Sequence, residues 1–135
     1  MKETDISYAK MTGISQKGEE ISLENKVEVR NHINTIHGAA QFTLAETKSG
    51  IYLQNLYPES KGLVLALLRE AKIKYKKPAS TKIIAYASIK KENQDKFDLQ
   101  YEKKSRASID VEVQIRDIND EITSIGTFTW FVSKL

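Results

Sequence analysis

The sequence predicts an α+β fold in which an antiparallel sheet curls around one long helix. Three observations predict it. A largely apolar helical stretch runs from about Ile36 to Leu56 and ends before Pro58. Alternation of apolar and polar residues dominates the chain after Gly62. Strands of ten residues reach about 33 Å and a helix of 21 residues about 31 Å, so one face of the sheet can cover the helix.

The composition is that of a globular protein. The chain has 135 residues, and we expect residues 1–135 to form a single domain. Hydrophobic residues make up 40 % and charged residues 29 %, which argues against disorder. The absence of cysteine excludes a disulfide framework, a thiolate zinc site and a cysteine nucleophile. The two histidines lie far from any carboxylate cluster at ligand spacing, so we expect no metal site.

The location and partner class follow from charge and hydropathy. The first ten residues contain no apolar core of signal-peptide length. The longest apolar run, Leu63 to Leu68, is far shorter than the roughly 20 residues that a membrane span needs. We therefore expect a cytoplasmic protein without a membrane span. The net charge of +3 is weak evidence for nucleic-acid binding, which usually requires a dense basic surface.

The first third of the chain contains short elements. Residues 3–12 are predicted to form a short helix that ends at Gly13. Residues 19–30 are predicted to form a straight or bent strand, because the apolar residues in this stretch occupy odd positions. Asn34 or Thr35 is the expected cap of the following helix.

The long helix is expected to be buried, because its first half is apolar on nearly every face. Its small residues, Ala39, Ala40 and Ala45, would let the sheet approach closely. The same stretch carries one acid, Glu46. Since charged side chains are rarely buried unless they are paired or functional, we look for chemistry here.

The rest of the chain is predicted to supply the antiparallel strands. The cleanest pattern is the alternation over residues 109–115. The further predictions are a strand around 71–75, a strand at 81–90, a short edge segment or mobile hairpin flank at 96–103, a turn at Asn119 and Asp120, and a last strand at 121–133.

A motif at the start of the long helix resembles that of a known family. Asn31 is followed six residues later by His37 and Gly38, and Glu46 lies nine residues after His37. This spacing, within the stretch RNHINTIHGAAQFTLAE, resembles the hotdog-fold acyl-CoA thioesterases of the phenylacetate-pathway type and their uncharacterised relatives. The order of strand, long helix and antiparallel strands also fits the hotdog fold.

The resemblance implies a thioester hydrolase and assigns roles to these residues. The Gly38 N–H would stabilise the oxyanion, since first-turn amides lack intrahelical partners and the helix dipole is positive there. The Asn31 amide would bind or orient the carbonyl or a water molecule. Glu46 would act as the nucleophile or as the general base. Coenzyme A would enter only as part of the substrate, and no separate cofactor is implied.

The substrate would also contact residues that flank these three. These are His37, Ala39, Thr47 and Gly50. Two of them depart from the family pattern: Ala39 replaces the second glycine of the motif, and Gly50 lies where some members carry a hydroxyl. His37 is predicted to cap or shape the turn.

Helix geometry predicts that the site is shared between subunits. Gly38 and Glu46 are eight residues apart, hence about 12 Å apart along the helix axis. Catalytic contacts are about 3 Å long. If both residues act on one carbonyl, they come from different chains, and we expect a homodimer or a tetramer, with an acyl-CoA or acyl-carrier thioester as the partner.

Several alternatives stay open at this point. Glu46 is either an active-site acid or a surface acid where the helix leaves the sheet. The basic residues Arg69, Lys72, Lys74, Lys76 and Lys77 either attract coenzyme A phosphates or form a solvated strand face. The whole protein is alternatively a non-catalytic acyl-thioester-binding hotdog protein, or a basic domain that binds nucleic acid or another partner.

Overall fold

The fold is built from a long helix and long antiparallel strands, as the sequence predicts. The computed structural model describes residues 5–135. The helices are α1 (Ser7–Thr12), α2 (Gly38–Leu56) and α3 (Lys91–Lys104). The strands are β1 (Ser15–Lys17), β2 (Glu20–Leu23), β3 (Val64–Tyr75), β4 (Ile83–Ser88), β5 (Arg106–Asp117) and β6 (Ile122–Lys134).

Within the described residues, the strands form one six-stranded sheet in the order β1-β2-β4-β5-β6-β3. Every neighbouring pair is antiparallel. β3 is an edge strand that pairs only with β6 among these strands. Because β3 is long, its outer edge carries a long row of backbone N–H and C=O groups.

The core lies between α2 and one face of the sheet. Phe128 of β6 is fully buried, and its ring centroid lies 5.5 Å from that of Phe42 on α2. Ala40 and Ala45 are buried, as expected of small residues that admit the sheet, whereas Ala39 is exposed. Strand β5 alternates buried and more exposed residues along its length, which is the expected pattern for a strand with one face on the core.

The start of α2 differs from the prediction. The N-cap is His37, whose side chain accepts a hydrogen bond from the Ala39 N–H; neither Asn34 nor Thr35 caps the helix. Asn34 instead has a φ of 62°, which is a left-handed conformation, whereas an N-cap residue typically has an extended backbone. The predicted helix end before Pro58 is correct.

The predicted strand over residues 19–30 is wrong in its second half. Only Glu20–Leu23 is a strand, and Val27–Val29 forms a turn of 3₁₀ helix. Val27 is 73 % exposed, so its alternation with Val29 does not mark a core face. The short helix before Gly13 is confirmed for residues 7–12, while residues 3 and 4 lie outside the described part of the chain.

The prediction for residues 96–103 is also wrong, because they belong to helix α3. This helix is almost entirely polar, and Phe97 is the residue that it buries. Phe97 and Tyr101 lie four residues apart and stack, with ring centroids 5.9 Å apart. Because the helix buries so few apolar residues, its helical period is hard to recognise in the sequence.

Two features are absent from residues 5–135. None of the helices there has the length and apolar character required to cross a membrane. No group of three or more histidines and acidic residues is arranged to hold a metal ion.

Candidate active site

The loop before α2 is shaped by Asn31. Its Oδ1 accepts hydrogen bonds from the N–H groups of Ile33, at 3.1 Å, and Thr35, at 3.0 Å. Its Nδ2 donates to Thr35 Oγ1 at 2.8 Å. Such contacts define a tight side-chain-stabilised turn. Asn31 therefore fixes the path of the chain into α2, and no acceptor in the described part of the chain takes the second hydrogen of its amide nitrogen.

His37 and Gly38 form the first turn of α2. The His37 Nδ1 accepts from the Ala39 N–H at 2.9 Å, and the His37 carbonyl accepts from the N–H groups of Ala40 and Gln41. Within the described residues, the Gly38 N–H has no acceptor. An open donor thus lies at the positive end of the helix dipole, which suits it to an oxyanion or another anion.

Gly38 is closely covered by Tyr75 at the end of β3. The Tyr75 hydroxyl donates to the Gly38 carbonyl at 3.0 Å. A Cβ added at Gly38 would lie 3.2 Å from the Tyr75 ring, which is tighter than ordinary van der Waals contact. Glycine at this position therefore keeps both the close approach of Tyr75 and access to the backbone.

Glu46 lies on the middle of α2 and is half-buried. It lines a small cavity of about 160 Å³ together with Ile6, Tyr8 and Trp130. Burial raises the pKa of the Glu46 carboxyl above its ordinary value. No lysine or arginine of residues 5–135 pairs with this carboxylate. An acid that faces an apolar cavity without a cation differs from an ordinary surface acid, and such sites are frequent among functional carboxyls.

The turn of α2 that follows Glu46 is attached to β6. Thr47 is buried and lines the same cavity. The Ser49 hydroxyl donates to the Glu46 carbonyl at 2.7 Å and accepts from the Trp130 Nε1 at 2.9 Å. A Cβ at Gly50 would lie 3.3 Å from the Trp130 ring, so the indole rests on the bare backbone of the helix.

Comparison with protein families identifies the chain. The model of the domain of unknown function DUF4442 matches residues 8–132. The chain belongs to the DUF4442 family. No curated protein sequence matches it.

Solved structures show that this DUF4442 chain has the hotdog fold. PA5026 from Pseudomonas aeruginosa, described as a probable thioesterase, is 18 % identical with a TM-score of 0.81, and the match covers 98 % of this chain and 91 % of that one. The thioesterase HI1161 from Haemophilus influenzae is 17 % identical with a TM-score of 0.74, over 98 % and 86 % of the two chains. The predicted hotdog fold is thus confirmed.

A third structure contains a ligand. BH2602 from Bacillus halodurans, determined with coenzyme A, is 28 % identical to this chain, with a TM-score of 0.72. The match covers 93 % of this chain and 74 % of that one.

The motif residues of this DUF4442 chain form two groups on α2. Asn31, His37, Gly38 and the exposed Ala39 surround the start of the helix. Glu46, Thr47 and Gly50 lie at its middle, beside Trp130. Gly38 and Glu46 are eight positions apart within one continuous helix, so these two residues are about 12 Å apart along the axis. One protomer therefore does not bring the open amide and the carboxylate together.

Sequence reasoning placed Trp130 on the sheet but missed its place in the site. The signal was present, because Trp130 is the chain's only tryptophan and follows the same strand face as Phe128. What the sequence could not show is that the β6 register lays this face over Gly50 of α2.

Proposed function

We propose that this protein is an acyl-CoA or acyl-carrier thioesterase whose active site is shared between two subunits. The observation that carries the proposal is Glu46, a half-buried carboxyl that faces a cavity beside Trp130 and has no cationic partner among residues 5–135. The open Gly38 N–H on the same helix supplies the complementary oxyanion donor. The coenzyme A in the BH2602 structure supports the substrate class.

The proposed chemistry uses Glu46 as the group that activates the attack on the thioester. In the general-base route, Glu46 takes a proton from water, the oxygen attacks the carbonyl carbon, the C–S bond breaks and the thiolate leaves as a thiol. In the nucleophilic route, the carboxylate attacks the carbonyl carbon, the C–S bond breaks with release of the thiolate, and water then hydrolyses the resulting anhydride. In both routes negative charge develops on the carbonyl oxygen, where a preorganised N–H such as that of Gly38 stabilises it. The remaining Asn31 amide hydrogen would orient the carbonyl.

The edge strand β3 supports the dimer. Unpaired edges of this length are normally covered, because they expose backbone donors and acceptors. β3 also exposes an apolar side chain, Leu65, which is 49 % exposed. Pairing of β3 with the same strand of a second copy would extend the sheet and place two α2 helices side by side, as a two-fold dimer requires. A tetramer would be formed from two such dimers.

The basic end of β3 supports a site for the coenzyme A phosphates. Tyr75 binds the Gly38 carbonyl, so the neighbouring Lys74 and Lys76 belong to the part of the sheet near the start of α2. Both lysines are exposed and would raise the local concentration of anions. Lys77 is left out of this phosphate site, because it forms ion pairs with Asp117, at 3.3 Å, and with Glu121. A cytoplasmic location remains part of the proposal.

Release of free thiol from a panel of acyl-CoAs tests the activity. We expect turnover by the wild type and a loss of at least 100-fold in Glu46→Gln, with unchanged folding by circular dichroism. Equal rates in the two proteins would remove Glu46 from the mechanism. Tight binding of acyl-CoA without turnover in either protein would replace the enzyme with a non-catalytic acyl-binding protein.

A mixing experiment tests the shared site. Glu46→Gln and Gly38→Ala homodimers should each be nearly inactive. A mixed dimer has one site with both native residues, so mixing the two variants after dissociation should restore up to about half of the activity per mixed dimer. A site contained in one subunit would give no restoration.

A further inference from the structure

A second, larger cavity lies next to the Glu46 cavity. It is a groove of about 650 Å³ between the C-terminal half of α2, helix α3 and strand β3. This volume lies in the range of small-molecule sites. Most of its walls are apolar or aromatic, and they include Leu53, Tyr57, Val64, Phe97, Tyr101 and Val132.

The groove is continuous with the Glu46 cavity. Ile6, Gly50 and Trp130 line both spaces. A thioester whose carbonyl carbon lies at Glu46 therefore has an apolar path past Trp130 into the groove. We propose that the groove binds the hydrocarbon chain of a medium- to long-chain acyl thioester, a substrate class that rests on the proposed thioesterase function.

The charges around the groove disfavour binding of the coenzyme A part of the substrate there. Its polar rim carries the carboxylates of Glu59, Asp98 and Glu102 against the single lysine Lys61. An excess of carboxylates repels phosphate groups, so the pantetheine and nucleotide of coenzyme A extend away from this end. The apolar walls and acidic rim together fit an uncharged hydrocarbon chain.

Helix α3 forms the far wall of the groove. Phe97 packs against Tyr57, with ring centroids 5.6 Å apart, and the Tyr57 hydroxyl donates to Asp98 at 2.7 Å. Burial of Tyr57, with the bond to Asp98, raises the pKa of this phenol, so the hydroxyl stays protonated and the contact persists. These contacts attach α3 to the end of α2 and set the depth of the groove, and with it the length of chain that fits.

Binding can be measured without catalysis, because Trp130 is the only tryptophan and lines the groove. The probe is dodecanoate, titrated while Trp130 emission and the heat of binding are recorded. Each methylene removed from water strengthens binding about four-fold, so dodecanoate should bind far more tightly than butanoate. Free coenzyme A should not compete with it for the groove.

Two substitutions on β3 provide a matched pair. Ala66 lines the groove, whereas Leu67 lies on the opposite face of the same strand, where it pairs with Phe131. Ala66→Phe fills the groove and should weaken dodecanoate binding at least ten-fold. Leu67→Phe adds an aromatic ring outside the groove and should leave binding unchanged. Any general effect on the edge strand would appear in both variants.

The kinetic test compares dodecanoyl-CoA with acetyl-CoA. We expect a higher kcat/KM for dodecanoyl-CoA in the wild type and in Leu67→Phe, and at least a ten-fold fall in this preference in Ala66→Phe. The groove assignment would be overturned if Ala66→Phe and the wild type bound dodecanoate equally, or if neither measurement detected binding. Hydrolysis without chain-length preference would also overturn it. None of these outcomes would by itself reject the thioesterase. If Ala66→Phe blocks dodecanoate binding but the wild type hydrolyses no acyl-CoA, the groove assignment stands and the thioesterase function is rejected.

Discussion

The Trp130 Nε1 donates a 2.9 Å hydrogen bond to the Ser49 hydroxyl, 81 residues away in the sequence. Ser49 is fully buried, and its hydroxyl donates a 2.7 Å hydrogen bond to the carbonyl of Glu46. Strand β6 is therefore connected to the helical turn that carries the candidate catalytic acid. We expect the position of the Glu46 carboxylate to depend on this connection.

The first prediction concerns this connection. Trp130→Phe keeps a ring against Gly50 but removes the donor to Ser49, and we expect a loss of about 1 kcal/mol in the free energy of unfolding. Thioesterase kcat should fall more than KM changes, because Glu46 is less well positioned. Urea unfolding followed by circular dichroism and steady-state kinetics measure the two effects. Ser49→Ala is the reciprocal variant, and normal kcat in both would show that the connection is only structural.

The second prediction concerns pH. Burial raises the folded-state pKa of Glu46 above its ordinary value of 4.5, so the folded protein holds a proton that the unfolded chain has released. The contribution of Glu46 to stability therefore falls as pH rises from 4.5 through the folded-state pKa. Glu46→Gln, which cannot ionise, should be more stable than the wild type at pH 7 and should lose this advantage below pH 4.5.

Urea unfolding at several pH values measures this difference, and Glu24→Gln at an exposed position is the control that should show no gain. The activity should follow the same group. Because the carboxylate is the reactive form, kcat/KM should fall on the acid side with a midpoint above 4.5. A Glu46→Gln protein less stable than the wild type at pH 7 would contradict the assigned burial.

The third prediction separates capping by His37 from catalysis. His37→Ala removes the acceptor for the Ala39 N–H and should cost about 1 kcal/mol of stability. His37→Asn supplies another capping oxygen and should recover most of the stability and the activity together. Thermal unfolding and kcat measure both. If His37→Asn is stable but inactive, the imidazole has a chemical role beyond the cap.

The fourth prediction concerns Gly38. In Gly38→Ala, the gain in helix propensity, at most about 1 kcal/mol, opposes the close contact with Tyr75, so the stability should change little. The activity should fall at least ten-fold, because the methyl group lies over the backbone that the thioester must approach. The double variant Gly38→Ala/Tyr75→Leu removes the contact with the ring. Recovery of activity in the double variant would attribute the loss to Tyr75 instead.

The elements that could be predicted from the sequence are those whose pattern reflects burial directly. Residues 109–115 alternate because one face of β5 lies on the core, where Val111 and Val113 are almost fully buried. The end of α2 follows from Pro58. Helix α3 could not be predicted with the same ease, because it buries Phe97 alone and most of its other residues are polar.

Some features of the candidate site follow from local sequence, and others depend on long-range packing. The spacing of His37, Gly38 and Glu46 is local, so the motif alone places all three on or before α2. The Glu46 cavity and the groove depend on where β6 and α3 pack against α2, which is long-range information. The bond of Trp130 to Ser49 is long-range information of the same kind.

Helix α3 has one further consequence. It connects β4 and β5, two antiparallel neighbours that a turn of a few residues could join directly. The pairing of β4 with β5 and the bond between Ser49 and Trp130 involve no residue of α3. Exchange of α3 for the corresponding segment of another family member would then transplant chain-length preference while the chemistry stays intact, which makes this segment the natural unit for evolutionary divergence and for redesign.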